Sequence, residues 1–80
     1  MINIDGREFS FTIATDNIRN GLGVELNEII SDEEIFIAEV FRNDSIRKIE
    51  FNTFESNVPY SAIVKLFEIF ELKVTREFEI

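Results

Sequence analysis

Cysteine and histidine are both absent from this 80-residue chain, and cations are scarce: eight Lys and Arg stand against sixteen Asp and Glu. Without cysteine there is no disulfide framework and no thiolate metal site, which fits a reducing compartment. Without histidine, a general base near neutral pH has to be a carboxylate or a lysine with a strongly shifted pKa. The common forms of a serine or cysteine triad are excluded as well. A formal charge of −8 repels DNA, RNA and anionic headgroups, whose recognition rests on clustered Lys and Arg, so any charged partner is expected to be basic. No stretch approaches the ~20 apolar residues that span a bilayer, and the start MINIDGREF lacks the basic and apolar regions of a secretion signal. The expectation is a soluble, cytoplasmic protein.

What is present is apolar and patterned. Nine Phe and a hydrophobic fraction of 45% exclude a disordered acidic tail and predict one folded domain over residues 1–80. The domain is small enough that folding buries only about 60% of the unfolded chain's surface, so each apolar side chain matters. There is no internal repeat, low-complexity segment or linker, and the three Gly and one Pro fall where punctuation is expected.

After an extended start at Ile2 to Ile4 and a turn at Gly6, the residues Phe9, Phe11 and Ile13 alternate with Glu8, Ser10 and Thr12, the period of a strand with one buried face. Asp16 to Gly21 is a polar connection. Leu22 to Ile30 predicts a second strand, Ser31 to Glu34 a turn, and Ile35 to Arg42 a third strand. In the third strand the alternation blurs, because Ile35, Ile37 and Phe41 share one side while Phe36, Ala38 and Val40 share the other. Asn43, Asp44 and Ser45 are turn formers leading to a fourth strand from Ile46 to Phe54. The period then changes: Ile63, Leu66, Phe67, Phe70 and Val74 form the stripe of an amphipathic helix from about Pro59 to Lys73, with Ser56 or Asn57 placed to cap it. Thr75 to Ile80 alternate again, as a short edge strand or an ordered tail.

This order predicts an α+β fold, a four-stranded antiparallel meander with one C-terminal amphipathic helix packed on one face. One helix covers one side of such a sheet. The other is polar, or is closed by a terminal segment, or meets a partner; Ile35, Ile37 and Phe41, or else Phe36, Ala38 and Val40, are left without cover, and the first set forms a candidate surface for self-association.

Candidate chemistry is sparse. Gly21-Leu22-Gly23 is a GxG without the third glycine and without a following helix, so no phosphate cradle is expected. Asp32, Glu33 and Glu34 lack the spacing of a calcium loop. Phe51 and Phe54 sit among the wrong charges for stacking on bases. No cofactor, metal or catalytic residue is expected. The informative cluster is Glu25, Glu28, Asp32, Glu33, Glu34 and Glu39, six carboxylates in a window with no Lys or Arg. Two strands and their turn align them along a sheet edge, as a ridge that steers a basic protein surface or as charge that keeps a hairpin edge from pairing.

The segments GLGVEL (Gly21 to Leu26), IAEVFRND (Ile37 to Asp44) and NVPYSAIVKLFEIF (Asn57 to Phe70) resemble, in the order of elements and in the proline-started helix, small bacterial immunity proteins of toxin systems. The resemblance covers most of the chain and is one of layout. It implies a cytosolic inhibitor, alone or as a dimer, that plugs the active site of a cognate toxin, often a nuclease with a basic cleft. No binding residue transfers with it, since such proteins diverge most where they touch their toxins. The combined expectation is a non-enzymatic, acidic protein-binding module, with a homodimerising structural domain as the alternative.

Overall fold

The computed structural model describes residues 1–74 and 77–78. Five strands, β1 (Ile2–Ile4), β2 (Arg7–Asp16), β3 (Gly21–Ile30), β4 (Glu33–Asn43) and β5 (Lys48–Thr53), precede one helix, α1 (Tyr60–Lys73). The strands form a single sheet in the order β1-β2-β3-β4-β5, each antiparallel to the next. The α+β meander with a C-terminal helix is therefore present, with five strands where four were expected. The extra strand is the extended start. Asp5 and Gly6 both take positive φ (53° and 77°), the geometry of a two-residue hairpin turn, and so fold Ile2 onto Phe9 and Ile4 onto Arg7.

Register decides which side chains meet. Phe11 faces Leu26, Ile13 faces Val24, and Val24 and Leu26 in turn face Val40 and Ala38. On this face α1 lays Ala62, Leu66 and Phe70, and the buried core is completed by Phe9, Ile37 and Val74. Burying a side chain such as Leu26, Ile37 or Leu66 contributes roughly 1.5–3 kcal/mol. The helix row in contact is Ala62-Leu66-Phe70-Val74, spaced by four. It is rotated from the expected stripe, so Ile63 packs only partly and Phe67 lies out on the β5 side, edge-on to Phe51 with centroids 5.1 Å apart.

The blurred alternation of β4 has a specific cause. Between Leu26 and Asn27 the register shifts: Leu26 faces Ala38 but Asn27 faces Phe36, leaving Ile37 without a cross-strand partner. This β-bulge turns Ile37 into the helix-covered core, where it is 1% exposed, beside Ala38 and Val40. Beyond the bulge, Ile35 and Phe36 are exposed.

At the start of α1, Pro59 occupies the N-cap with extended backbone (φ −61°, ψ 138°), and its carbonyl accepts from the Ala62 and Ile63 amides. No side chain caps the helix, so neither Ser56 nor Asn57 has the expected role. Lys65 and Glu68 pair at 3.7 Å on the solvent side. Of the expected C-terminal strand, Glu77 and Phe78 lie outside any strand, and Thr75, Arg76, Glu79 and Ile80 fall outside the described residues. Among the described residues no helix is long and apolar enough to cross a membrane.

Candidate functional site

Part of the face of the sheet away from α1 is covered by an arginine. The β2–β3 loop, residues 17–20, is wound by Asp16, whose Oδ1 accepts from the Ile18 and Arg19 amides. The wound loop holds the Arg19 side chain over the sheet. There Nε donates to Asp16 Oδ2 at 2.6 Å, the two terminal nitrogens donate to both oxygens of Glu39 at 2.6 and 2.9 Å, and the guanidinium lies 3.9 Å from the centre of the Phe41 ring. Glu39 and Phe41 are 3% and 2% exposed on this face, opposite the one that α1 covers.

The Gly21-Leu22-Gly23 run is explained from the same place. Gly23 lies directly opposite Phe41, and a Cβ on Gly23 would approach the Val40 carbonyl oxygen to 2.6 Å and the Phe41 ring to 2.9 Å. The two glycines seat an aromatic ring, which is their structural use here.

The six carboxylates expected to form one ridge separate into three groups. Glu28 accepts two hydrogen bonds from Arg7 (2.8 and 2.9 Å), whose remaining nitrogen donates to the Asn57 carbonyl. That pairing holds the Glu28 carboxyl below its ordinary range. Glu39 is lowered in the same way, by the Arg19 fork and by Asn52 Nδ2, despite its burial. Glu25 faces Glu39 across the strands, and burial together with that like charge pushes its carboxyl up, Arg19 opposing. Asp32, Glu33 and Glu34 remain at the end of the β3–β4 hairpin, exposed and with no ion pair among the described residues. The acidic ridge contracts to a hairpin tip. The arginines that dispose of the other acids stand 20 and 21 residues away in sequence, outside the window that defined the cluster.

The residues expected to form a self-association surface do not come together. Ile37 lies in the core under α1 and Phe41 on the opposite face under Arg19, so only Ile35 is exposed. The exposed apolar surface near Ile35 is instead Phe36 and Phe54, 40% and 55% exposed, packed edge to face with centroids 4.9 Å apart. The sequence marks Phe36 and Phe54 singly as positions that a one-helix fold leaves without cover, but not their pairing, because the bulge at Ile37 depends on the register with β3. The doubled apolar positions at Ile37 and Ala38 are the only trace it leaves.

Hollows flank these groups, among them one of about 290 Å³ bordered by Asn20, Arg42 and Asp44. One of about 340 Å³ between β5 and α1 is walled mainly by Val40, Ile49, Phe51, Phe67 and Phe70. A smaller one of about 50 Å³ lies beside the Arg19 cluster. Among the described residues no group of three or more carboxylates is arranged to hold a metal ion. No protein-family model, curated protein or solved structure matches the chain.

Proposed function

We propose that this chain is a non-enzymatic protein-binding module of the immunity or antitoxin kind, which engages a basic partner protein through the tip of its β3–β4 hairpin. The observation that carries this reading is the division of the carboxylates. Glu28 and Glu39 are consumed by internal arginines, whereas Asp32, Glu33 and Glu34 are exposed at the hairpin end with no ion-pair partner among the described residues. On a chain of net charge −8, such a tip concentrates negative potential at one end and accelerates encounter with a Lys- and Arg-rich surface. The lack of histidine and cysteine supports a binding role over a catalytic one.

The test is co-purification at low salt from cells that make the protein, in parallel with the D32N/E33Q/E34Q variant. A stoichiometric basic partner is expected with the parent chain. The variant is expected to associate about tenfold more slowly at low salt, the difference vanishing as salt rises. Equal association rates would refute the role of the tip.

A further inference from the structure

We infer that the outer edge of β4 from Glu33 to Phe36 takes an extended basic segment of the partner as an added strand, with the exposed Phe36–Phe54 pair as its apolar anchor. The inference rests on the proposal of a basic partner and specifies how that partner is held.

The β3–β4 hairpin outreaches its neighbour. β5 pairs with β4 only from Asn43 back to Ala38, and the last main-chain link is the Phe54 amide donating to the Ile37 carbonyl at 2.8 Å. Glu33, Glu34, Ile35 and Phe36 continue the strand with β3 on one side only. Among the described residues no main-chain group pairs with their outer edge. Four residues at ~3.3 Å each leave a free edge of about 13 Å. Such an edge is a template for an incoming strand: main-chain hydrogen bonds supply affinity, and the alternating side chains supply selection.

The side chains along the edge specify the occupant. By register, Glu33 and Ile35 stand on the face of Glu28, whereas Glu34 and Phe36 stand on the face of Asn27. Each face therefore presents one carboxylate and one apolar side chain. A strand laid alongside meets an opposite charge and an apolar contact on both faces only if it carries two adjacent apolar residues next to two adjacent Lys or Arg, since opposite charges stabilise cross-strand pairs and like charges destabilise them. The order of the two doublets reports whether it runs antiparallel or parallel. A second copy of this chain fits poorly. Antiparallel self-pairing over the same four residues sets Glu33 against Phe36 and Glu34 against Ile35, and it joins two bodies of charge −8.

The experiment is a selection of short random peptides displayed against the intact 80-residue protein at low salt. It is followed by affinity measurements on the enriched peptide and on copies N-methylated at single positions. Enrichment of an apolar doublet adjoining a Lys/Arg doublet is expected. Methylation at alternate positions should weaken binding about tenfold while the intervening positions tolerate it, because only every second amide of an added strand points at its neighbour. F36S and F54S should each weaken the same peptide. Binding that depends on Asp32, Glu33 and Glu34 but ignores methylation parity and both phenylalanines overturns strand addition while leaving the basic partner intact. Enriched peptides without positive charge overturn both readings. Absence of enrichment overturns strand addition, as does a dimer whose interface maps to residues 33–36.

Discussion

Arg19 is the residue on which the uncovered face of the sheet depends. Its guanidinium bridges Asp16 on its own loop and Glu39 on β4, and it roofs Phe41. Removing it leaves a carboxylate that is 3% exposed with, among the described residues, the Asn52 amide as its remaining side-chain donor. Arg19→Met is therefore expected to cost about 3 kcal/mol, and Arg19→Met with Glu39→Gln appreciably less, since the neutral amide carries no stranded charge. Urea unfolding of the two variants checks the difference. Glu25 behaves in the opposite sense. Its folded pKa is raised, so its ionisation disfavours the fold at neutral pH. Glu25→Gln should stabilise the protein there by about 0.5 kcal/mol, a gain that disappears as pH falls through the range in which the parent Glu25 takes up its proton. Below that range both proteins lose stability, because Asp16, Glu28 and Glu39, all held low in the fold, must then protonate. Chemical denaturation of both chains at a series of pH values reads out both signs.

Two hairpin turns of the same length solve the same conformational problem differently. Asp5-Gly6 uses the residue pair suited to positive φ at both central positions. Ser31-Asp32, with φ of 51° and 66°, uses neither Asn nor Gly, and it places a charged side chain at the furthest point of the β3–β4 hairpin. Replacing it by Asn-Gly (S31N/D32G) should raise stability by about 1 kcal/mol, an increase of roughly 4–8 °C in the thermal midpoint of a domain this size. The same change removes one of the three tip carboxylates, so a more stable protein that associates more slowly with its partner is the expected outcome. Calorimetry and stopped-flow association measure the two halves separately. The positive φ at Ser31 and Asp32 thus places local strain at the turn where charge is presented.

At the scale of the whole molecule, the described residues form one helix on one face of a five-stranded sheet with a single core, in a chain of net charge −8. Ile37 sits inside that core rather than on an association surface. Ile37→Asp is expected to abolish folding, visible as collapse of amide chemical-shift dispersion, and not to yield a well-folded monomer. Self-repulsion acts on the molecule as a body. Raising ionic strength from about 0.01 M to about 0.1 M shortens the screening length from roughly 30 Å to 10 Å, and the thermal midpoint should rise by a few degrees. The Arg19–Glu39 and Arg42–Asp44 pairs, each with a carboxylate only 4% exposed at its side chain, lose little to the same salt. A midpoint that falls with salt would mean that surface ion pairs outweigh net repulsion.

The sequence by itself determined the α+β class, the succession of strands before a C-terminal helix and the acidity, because alternation, helical period, turn residues and charge are properties of neighbouring residues. Phe9-Phe11-Ile13 and the helical positions Leu66, Phe70 and Val74 are legible in that way, and so is the concentration of acid from Glu25 to Glu39. Only the tertiary structure decided which of those acids face solvent. Arg7 reaches Glu28 and Arg19 reaches Glu39 across strands, and which residues face one another there depends on register. Register in turn depends on turn geometry and on the bulge at Ile37, which moves one expected surface residue into the core and exposes Phe36 beside the open edge of β4.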